Sequence, residues 1–310
     1  MKCLVLGGGG FLGYHLCQAL LDAGHGVRVF DRPNIARYTI PSPYSIEWSE
    51  GDFVNSEDLE KALSGCDIVY HLVSTTLPGP SNDNPSYDIE TNVVGTIRLL
   101  DLVRGDKFRK IIFLSSGGTV YGIPKEVPIR ESHPTDPVCS YGIAKLAIEK
   151  YLFLYHYLYG LDYCIFRFAN PFGERQRIEA AQGAVTVFLH KAFHGRTIEI
   201  WGDGSVIRDY VYVKDAVDAL VRAIEYAGSH RVFNIGSGEG RSLNQVLSEV
   251  EIVLGRPIPQ TRIPGRPFDV PSNVLDISLA SKMLGWRPRI PFREGLLKTL
   301  EWIREPAGQG

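Results

Sequence analysis

A glycine-rich segment near the amino terminus constrains the fold of this chain more than any other feature. It lies directly after the apolar run Cys3–Leu6 and directly before an apolar-periodic segment that begins at Phe11. A strand that enters a glycine turn and leaves as a helix directs several backbone N–H groups, and the positive end of the helix dipole, at one point. Glycine at Gly7, Gly10 and Gly13 allows the turn to close, phosphates to approach and the helix to pack on its strand. This order predicts a site for the pyrophosphate of a dinucleotide.

A second predicted strand indicates which dinucleotide is bound. The apolar run Val27–Phe30 ends at Asp31, about twenty residues beyond the turn, where a carboxylate can accept both hydroxyls of an adenosine ribose. Because this carboxylate would repel a 2′-phosphate, Asp31 favours NAD over NADP. Arg32 follows it, and a guanidinium at this position could accept a phosphate, which leaves NADP open.

Charge and cysteine content exclude several kinds of partner. The 310 residues carry 33 basic and 35 acidic side chains, a formal charge of −2, so we expect neither nucleic acid nor a membrane surface as a partner. The uncharged stretch Cys3–Leu21 contains five glycines and polar residues that do not suit a signal peptide. Five cysteines without a C-x-x-C pair argue against a disulfide framework or a metal site. We therefore expect a reducing compartment, the cytoplasm.

The alternation of apolar and helical segments predicts the fold class, which is α/β. Apolar runs lie at 3–6, 27–30, 68–72, 111–114 and 163–168, and helical-period stretches lie between them at 11–23, 56–63, 88–104 and 141–159. Strands that alternate with helices predict parallel pairing and right-handed crossovers. We therefore expect a doubly wound parallel Rossmann sheet over 1–170, which binds the dinucleotide. A smaller α+β lobe over 171–310 would bind the substrate, with segments near 208–236 returning to the first domain.

A tyrosine and a lysine spaced by four carry the predicted chemistry. Tyr141 and Lys145 begin a helical segment that extends to Tyr159, so both side chains lie on one face. A phenol with a pKa near ~10 is a poor base at neutral pH, and an ammonium group a few ångströms away favours its ionised form. Lys145 can also hold the nicotinamide ribose. The alternative is that Tyr141 is one more packed aromatic in a tyrosine-rich helix.

Short motifs along the whole chain carry a family resemblance. They are Gly7-x-x-Gly10-x-x-Gly13, Asp31, Gly51-Asp52, His71-Leu72, Asn92 to Thr96, Ser115-Ser116, Val120-Tyr121-Gly122, Tyr141-x-x-x-Lys145, Arg167 to Gly173, Gly202-Asp203-Gly204, Arg208 to Val211, Asn234 to Gly238 and Leu284 to Pro288. In this order they resemble the extended short-chain dehydrogenase/reductases that act on nucleotide sugars, and most closely the UDP-hexose 4-epimerases.

The resemblance implies a role for each matching residue. The cofactor residues would be Gly7, Gly10, Phe11, Leu12, Gly13, Asp31, Arg32, Asp52, Phe53, Leu72, Val73, Ser74, Asn92, Tyr141 and Lys145. The substrate residues would be Gly117, Asn170, Trp201, Arg208, Arg266, Asp269 and Asn273. Four of these assignments have plain alternatives. Asn92 could make only a polar contact within its helix, and Trp201 could be a core aromatic. Arg266 could be an ordinary surface arginine, and Asn273 could lie away from the sugar.

One departure from the family pattern concerns the catalytic hydroxyl. Most relatives place Ser or Thr where this chain has Gly117. A hydroxyl is still needed to polarise the reacting oxygen, and we expect Ser116, Thr119 or a water to supply it.

The activity implied is an NAD-dependent nucleotide-sugar 4-epimerase that works through a 4-keto intermediate, in polysaccharide biosynthesis. UDP is the favoured nucleotide, and Asn273, smaller than the tyrosine of relatives, would admit a 2-acetamido group. The resemblance also implies a homodimer built through the helices at 88–104 and 141–159. Two alternatives stay open: an NAD(P)H-dependent reductase of a 4-keto deoxysugar, and a non-catalytic NAD-binding protein.

Overall fold

The computed structural model describes residues 1–35, 45–105, 108–178, 183–265 and 270–305. The chain divides into two compact units. The first unit consists of Met1–Gly122, Pro134–Arg167 and Val217–Phe233, and the second consists of Ile123–His133, Phe168–Ala216 and Asn234–Gly310.

A seven-stranded sheet forms the centre of the first unit. Its strands are β1 (Lys2–Leu6), β2 (Gly26–Asp31), β3 (Ile46–Glu50), β4 (Ile68–His71), β5 (Lys110–Ser116), β6 (Tyr163–Phe168) and β10 (Val232–Ile235). They lie in the order β10-β6-β5-β4-β1-β2-β3, and the pairs β1–β2, β1–β4, β2–β3 and β4–β5 are parallel. The strand order reverses beside β1, as in a doubly wound sheet, so the predicted Rossmann fold is confirmed.

The helices of the first unit lie between its strands in the sequence. They are α1 (Phe11–Asp22), α2 (Ser56–Leu63), α3 (Pro85–Asp88), a π-helical segment (Ile89–Val94), α4 (Gly95–Val103) and α5 (Ser140–Tyr159). The buried side of α5 packs Ala144, Ile148 and Leu152 into a core that also contains Leu4 and Phe113. This packing fixes the helix face that carries Lys145.

Two elements differ from the predictions. The expected helix over 88–104 is divided among α3, the π-helical segment and α4, and Thr96 donates its hydroxyl to the carbonyl of Asn92 where α4 begins. Strand β3 was not predicted because its side chains are only half-buried or exposed and give no apolar run. Strand β10 lies beside β6 at one edge of the main sheet, within the range 208–236 from which we expect segments to return to the first domain.

Shorter strands build the second unit. They are β7 (Asn170–Phe172), β8 (Ile198–Trp201), β9 (Ile207–Tyr212), β11 (Gly240–Ser242), β12 (Gln260–Ile263) and β13 (Ser272–Asn273). Strand β9 pairs with β7, β11 and β13, while β8 pairs with β12. The remaining helices are α6 (Ala184–Phe193), α7 (Val213–Arg222), α8 (Leu243–Leu254), α9 (Ser278–Leu284) and α10 (Phe292–Arg304). No helix among the described residues is both long enough and apolar enough to span a bilayer.

Candidate active site

The glycine turn between β1 and α1 has the close packing that a phosphate-binding loop requires. Gly7 has a φ of +79°, and a Cβ added there would lie 3.2 Å from the backbone nitrogen of Val73. A Cβ on Gly13 would lie 2.5 Å from the Cα of Gly8, so only glycine lets α1 pack on the turn. Larger residues at these positions would displace the backbone rather than a flexible side chain.

The amino terminus of α1 is suited to an anion. Its N-cap is Gly10, no side chain of the described residues caps it, and its first turn, which contains Phe11 and Leu12, has no acidic residue. The first backbone N–H groups of a helix have no partner within the helix, and the dipole adds positive potential there. Phosphate oxygens can therefore be bound by the main chain alone.

Asp31 lies at the end of β2 and contacts this loop. One carboxylate oxygen accepts from the Gly9 N–H at 2.9 Å and the other accepts from the Arg32 N–H at 2.9 Å. The side chain of Arg32 is exposed. The structure thus brings the predicted ribose-binding carboxylate to the glycine turn, with the guanidinium next in the chain.

The predicted adenine residues follow β3 and differ in exposure. Asp52 is exposed and accepts from the Val54 N–H at 3.1 Å in a turn. Phe53 is 5% exposed, and its ring lies 5.0 Å from the ring of His71. The Phe53 side chain therefore belongs to the core, and Asp52 is the member of the pair with accessible polar atoms.

The segment after β4 brings the cofactor and catalytic residues together. Leu72 extends the strand by donating its N–H to the Leu6 carbonyl, and Val73 lies against Gly7. Ser74 is exposed, its hydroxyl donates to the Thr76 carbonyl at 3.2 Å, and it acts on the Tyr141 side chain so as to lower the pKa of the phenol. The hydroxyl beside the phenol thus comes from a residue that the sequence placed among the cofactor contacts.

Tyr141 and Lys145 lie together at the start of α5. The Lys145 Nζ is 5.6 Å from the centre of the Tyr141 ring and 4.9 Å from that of Phe113, and it donates to the Leu114 carbonyl at 3.1 Å. Lys145 is 3% exposed. The two side chains therefore share one face of the helix, as their spacing predicts.

Burial dominates the protonation of this pair. It raises the pKa of Tyr141 to about 12, although the nearby Ser74 hydroxyl works in the opposite direction. It lowers the pKa of Lys145 to about 8, although the carboxylates of Asp88 and Glu149 oppose this shift. Burial thus opposes the ionised form of Tyr141, which the ammonium group of Lys145 is expected to favour.

Asn92 is buried in the π-helical segment and bonds to the residues after β4. Its Nδ2 donates to an oxygen of the Asp88 carboxylate at 2.8 Å and to the Thr75 hydroxyl at 2.8 Å, while its Oδ1 accepts from the Thr75 N–H at 3.0 Å. The amide therefore fixes the chain next to Ser74.

The end of β5 carries the candidate hydroxyls. Ser116 is half-buried and ends the strand, and Gly117 is buried directly after it. The carbonyl of Thr119 lies so close to α5 that a Cβ on Gly142 would be 2.9 Å from it. The Thr119 Oγ1 is buried and has no hydrogen-bond partner among the described residues.

A buried ion pair that sequence reasoning missed supports this strand and helix. Glu149, one turn beyond Lys145, accepts from Arg167 at 2.6 Å and 3.0 Å and from the Ser115 hydroxyl at 2.5 Å. The guanidinium lies 4.8 Å from the centre of the Tyr121 ring. The spacing of Lys145 and Glu149 on one helix face was the available signal.

Three predicted substrate residues meet around β9 in the second unit. Asn170 donates to the Asp209 carbonyl at 2.9 Å. Arg208 is half-buried and donates to the carbonyls of Ile207 and Val270. Asn273, which is 1% exposed, lies opposite Arg208 in the β13–β9 register. These side chains therefore come from three neighbouring strands of one sheet.

The other predicted substrate residues divide into two groups. Trp201 ends β8 and is 39% exposed, so it is not a buried core aromatic. Arg266 and Asp269 lie outside the described residues.

Fold and site together define the class of this protein, an enzyme of the short-chain dehydrogenase/reductase type with a dinucleotide loop and a helical Tyr–Lys pair. The chain belongs to the NAD dependent epimerase/dehydratase family, whose model matches residues 3–236.

Individual relatives match over nearly the whole chain. A UDP-glucose 4-epimerase of Mycolicibacterium smegmatis is 37% identical and covers 98% of this chain and 99% of its own length. The crystal structure of a UDP-glucose 4-epimerase from Thermotoga maritima with UDP-glucose is 35% identical, covers 98% of this chain and 99% of that one, and has a TM-score of 0.92. A UDP-N-acetylglucosamine 4-epimerase from Methanobrevibacter ruminantium, in complex with UDP-N-acetylmuramic acid, is 29% identical, covers 97% of each chain and has a TM-score of 0.90.

Proposed function

We propose that this protein is an NAD-dependent 4-epimerase of UDP-sugars that works through a 4-keto intermediate. The observation that carries the proposal is the arrangement at the start of α5, where the Lys145 Nζ lies 5.6 Å from the centre of the Tyr141 ring and the Ser74 hydroxyl lowers the pKa of the phenol. Ser74 directly follows Val73, which contacts the glycine turn. The segment Val73–Ser74 thus connects the Tyr141 phenol to the glycine turn, which is the loop suited to a dinucleotide.

The residues present fit NAD. The backbone of Val73 lies so close to Gly7 that a Cβ has no room there. No side chain of the described residues caps the amino-terminal end of α1, and the Asp31 carboxylate lies against the turn. Gly7, Gly10 and the first turn of α1 would hold the pyrophosphate, and Asp31 would accept the ribose hydroxyls. NAD, when bound, supplies the acceptor for a hydride from the sugar C4 and returns that hydride afterwards.

Tyr141 moves the proton in this proposal. Its phenolic oxygen takes the proton of the sugar 4-OH as the C4–H bond breaks, and it gives the proton back when the ketone is reduced. Because the pKa of Tyr141 is raised to about 12, positive charge beside the ring is needed for it to act as a base. Lys145, whose pKa of about 8 keeps it largely protonated at pH 7, supplies that charge. Ser74, Ser116 and Thr119 are the hydroxyls that can orient the reacting oxygen.

We assign the nucleotide sugar to the second unit. Arg208 can pair with two diphosphate oxygens through its planar guanidinium, and Asn170 can donate to a third. Trp201 has an exposed ring that can cover the uracil. Arg266 and Asp269 complete the set by the family resemblance.

Asn273 determines the breadth of substrates in this proposal. Its side chain is far smaller than tyrosine, so a 2-acetamido group fits without an overpacking cost of about 1–3 kcal/mol. We expect the UDP-N-acetylhexosamines to be used at least as well as the UDP-hexoses. In Asn273→Tyr, kcat/KM should fall selectively for the acetamido pair, while Asn273→Ala serves as the control and should keep the wild-type ratio. An unchanged ratio in Asn273→Tyr would mean that this residue does not limit the pocket.

A homodimer through α5 and the helical region at 88–104 is part of the proposal. Large apolar side chains on this helix are exposed: Ile143, Phe153, Leu154, Tyr157 and Leu158. Exposed large apolar side chains gathered on one helix are typical of an interface. Light scattering at micromolar concentration should give twice the chain mass, and Leu154→Glu should lower it. A monomeric wild type would contradict this assignment.

The test of the activity is a panel of UDP- and dTDP-sugars incubated with purified protein without added cofactor. We expect NMR to show the C4 epimer of at least one UDP-sugar. A requirement for stoichiometric NADPH or NADH would favour the 4-keto reductase. Binding of NAD without conversion of any sugar would favour a non-catalytic protein.

The five free cysteines support the cytoplasm as the location.

A further inference from the structure

Asp88, at the end of α3, is a buried carboxylate that the proposed chemistry does not use. It is 0% exposed. One oxygen accepts from the Thr76 hydroxyl at 2.5 Å and from the Asn92 amide at 2.8 Å, and the other accepts from the Ser140 hydroxyl at 2.7 Å. In the described parts of the chain no cation pairs with it within 4.0 Å. Since burying an ionised carboxylate is costly, these three neutral donors must offset its desolvation.

Its three donors belong to three different elements around Tyr141. Thr76 lies two residues after Ser74, and its carbonyl accepts from the Ser74 hydroxyl at 3.2 Å. Asn92 lies in the π-helical segment, a kind of distortion that is frequent at functional sites. Ser140 is the first residue of α5 and directly precedes Tyr141. One carboxylate therefore joins the three segments that surround the phenol.

The same part of the chain also holds the backbone at the start of α5. The Ser140 N–H donates to the Asn82 side chain at 2.9 Å, and the Tyr141 N–H donates to the Ser81 hydroxyl at 3.0 Å. Both acceptors lie in the short turn Pro80–Asn82 that precedes α3. The first turn of α5 is thus fixed by side chains of the segment that ends in Asp88.

We propose that Asp88 is a positioning residue, whose carboxylate holds Tyr141 in register with Ser74 by fastening Ser140 to Thr76 and Asn92. The proposal rests on the proposed function, since it assigns Tyr141 the proton transfer. A displacement of the phenol by about 1 Å is enough to cost about 100-fold in rate.

The charge of Asp88 has a second effect at the same site. It raises the pKa of Lys145 against the lowering by burial, and it adds to the raised pKa of Tyr141. The titratable groups that act on this pair are Asp88, Cys139 and Glu149, and His71 also interacts with Lys145. Removing the charge of Asp88 should therefore lower the pKa of both Tyr141 and Lys145.

Two substitutions of Asp88 distinguish the effect of its hydrogen bonds from the effect of its negative charge. Asp88→Ala removes all three acceptor contacts, and we expect kcat to fall about 100-fold while KM changes less than about threefold. Asp88→Asn keeps the shape, and the ascending limb of its pH–rate profile should move to lower pH because Tyr141 ionises more readily. Ser140→Ala and Thr76→Val each remove one contact, and they give the same test if Asp88→Ala does not fold.

Asp215→Asn is the matched control. Asp215 is a buried carboxylate of the second unit that accepts from the N–H groups of Arg289 and Ile290. We expect its loss to lower thermal stability but to leave kcat and the pH profile as in wild type. If the Asp88 variants behave in the same way, Asp88 is only structural and the proposal is wrong.

A measurement without turnover separates this proposal from the proposed function. The phenol of Tyr141 can be followed by NMR of 13C-labelled tyrosine, with Tyr141→Phe to assign its signal. We expect a lower pKa for Tyr141 in Asp88→Asn than in wild type, and no change in Asp215→Asn. An unchanged pKa would overturn the electrostatic part even in an active enzyme, whereas a shifted pKa in a protein that epimerises no sugar would show that the function alone was wrong.

Discussion

Removal of Glu149 should destabilise the protein far more than removal of an exposed carboxylate. In Glu149→Ala the Arg167 guanidinium, whose side chain is 6% exposed, keeps its charge but loses the Glu149 carboxylate, and the Ser115 hydroxyl loses its acceptor. Breaking a buried pair from one side costs about 3–5 kcal/mol. Glu149→Gln retains an acceptor but loses the charge, so we expect a loss of about 2 kcal/mol.

Urea unfolding measures this effect. With a slope of about 3 kcal/mol/M, the midpoint of Glu149→Ala should fall by about 1–1.7 M. The double variant Glu149→Met, Arg167→Met removes both charges and should lie closer to wild type than Glu149→Ala does. The control is Glu249→Ala, which breaks a pair whose Arg293 side chain is 53% exposed and should cost at most about 1 kcal/mol. Equal midpoints for Glu149→Ala and Glu249→Ala would refute the reasoning.

Three further predictions concern the cofactor, the phenol and pH. Tyr141→Phe should lose about 10³-fold or more in kcat but keep NAD and the fold, and retained activity would remove Tyr141 from the mechanism. NAD should bind about 10-fold or more tightly than NADP because a 2′-phosphate would face the Asp31 carboxylate, and equal affinities by calorimetry would mean that Arg32 dominates. Burial, and then the charge of Lys145, hold the pKa of His71 well below 6.5, so protons bind the unfolded chain preferentially as the pH falls below that value. Stability should therefore decline on acidification, and His71→Asn should reduce that decline by up to about 1.4 kcal/mol per pH unit in urea titrations, with identical slopes counting against a neutral buried His71.

The local sequence pattern was sufficient to predict the doubly wound sheet with its glycine turn, and to predict the pair formed by Tyr141 and Lys145. The order of apolar run, glycine turn and helical period places the loop at the end of β1, and a spacing of four residues places Tyr141 and Lys145 on one helix face. These relations hold over a few residues, where backbone geometry alone sets which side chains are neighbours.

Tertiary structure decided what surrounds that pair. Ser140 and Asp88 are 52 residues apart, and Arg167 and Glu149 are 18 apart on different elements, so their contacts depend on how helix and sheet pack. It is also packing that places Ser74 beside the phenol and buries Phe53. The protonation of Tyr141 also depends on tertiary structure. The sequence shows the lysine four residues away, but it does not show the burial that raises the pKa of the phenol to about 12. Desolvation is a property of the folded environment, and no local spacing in the chain encodes it.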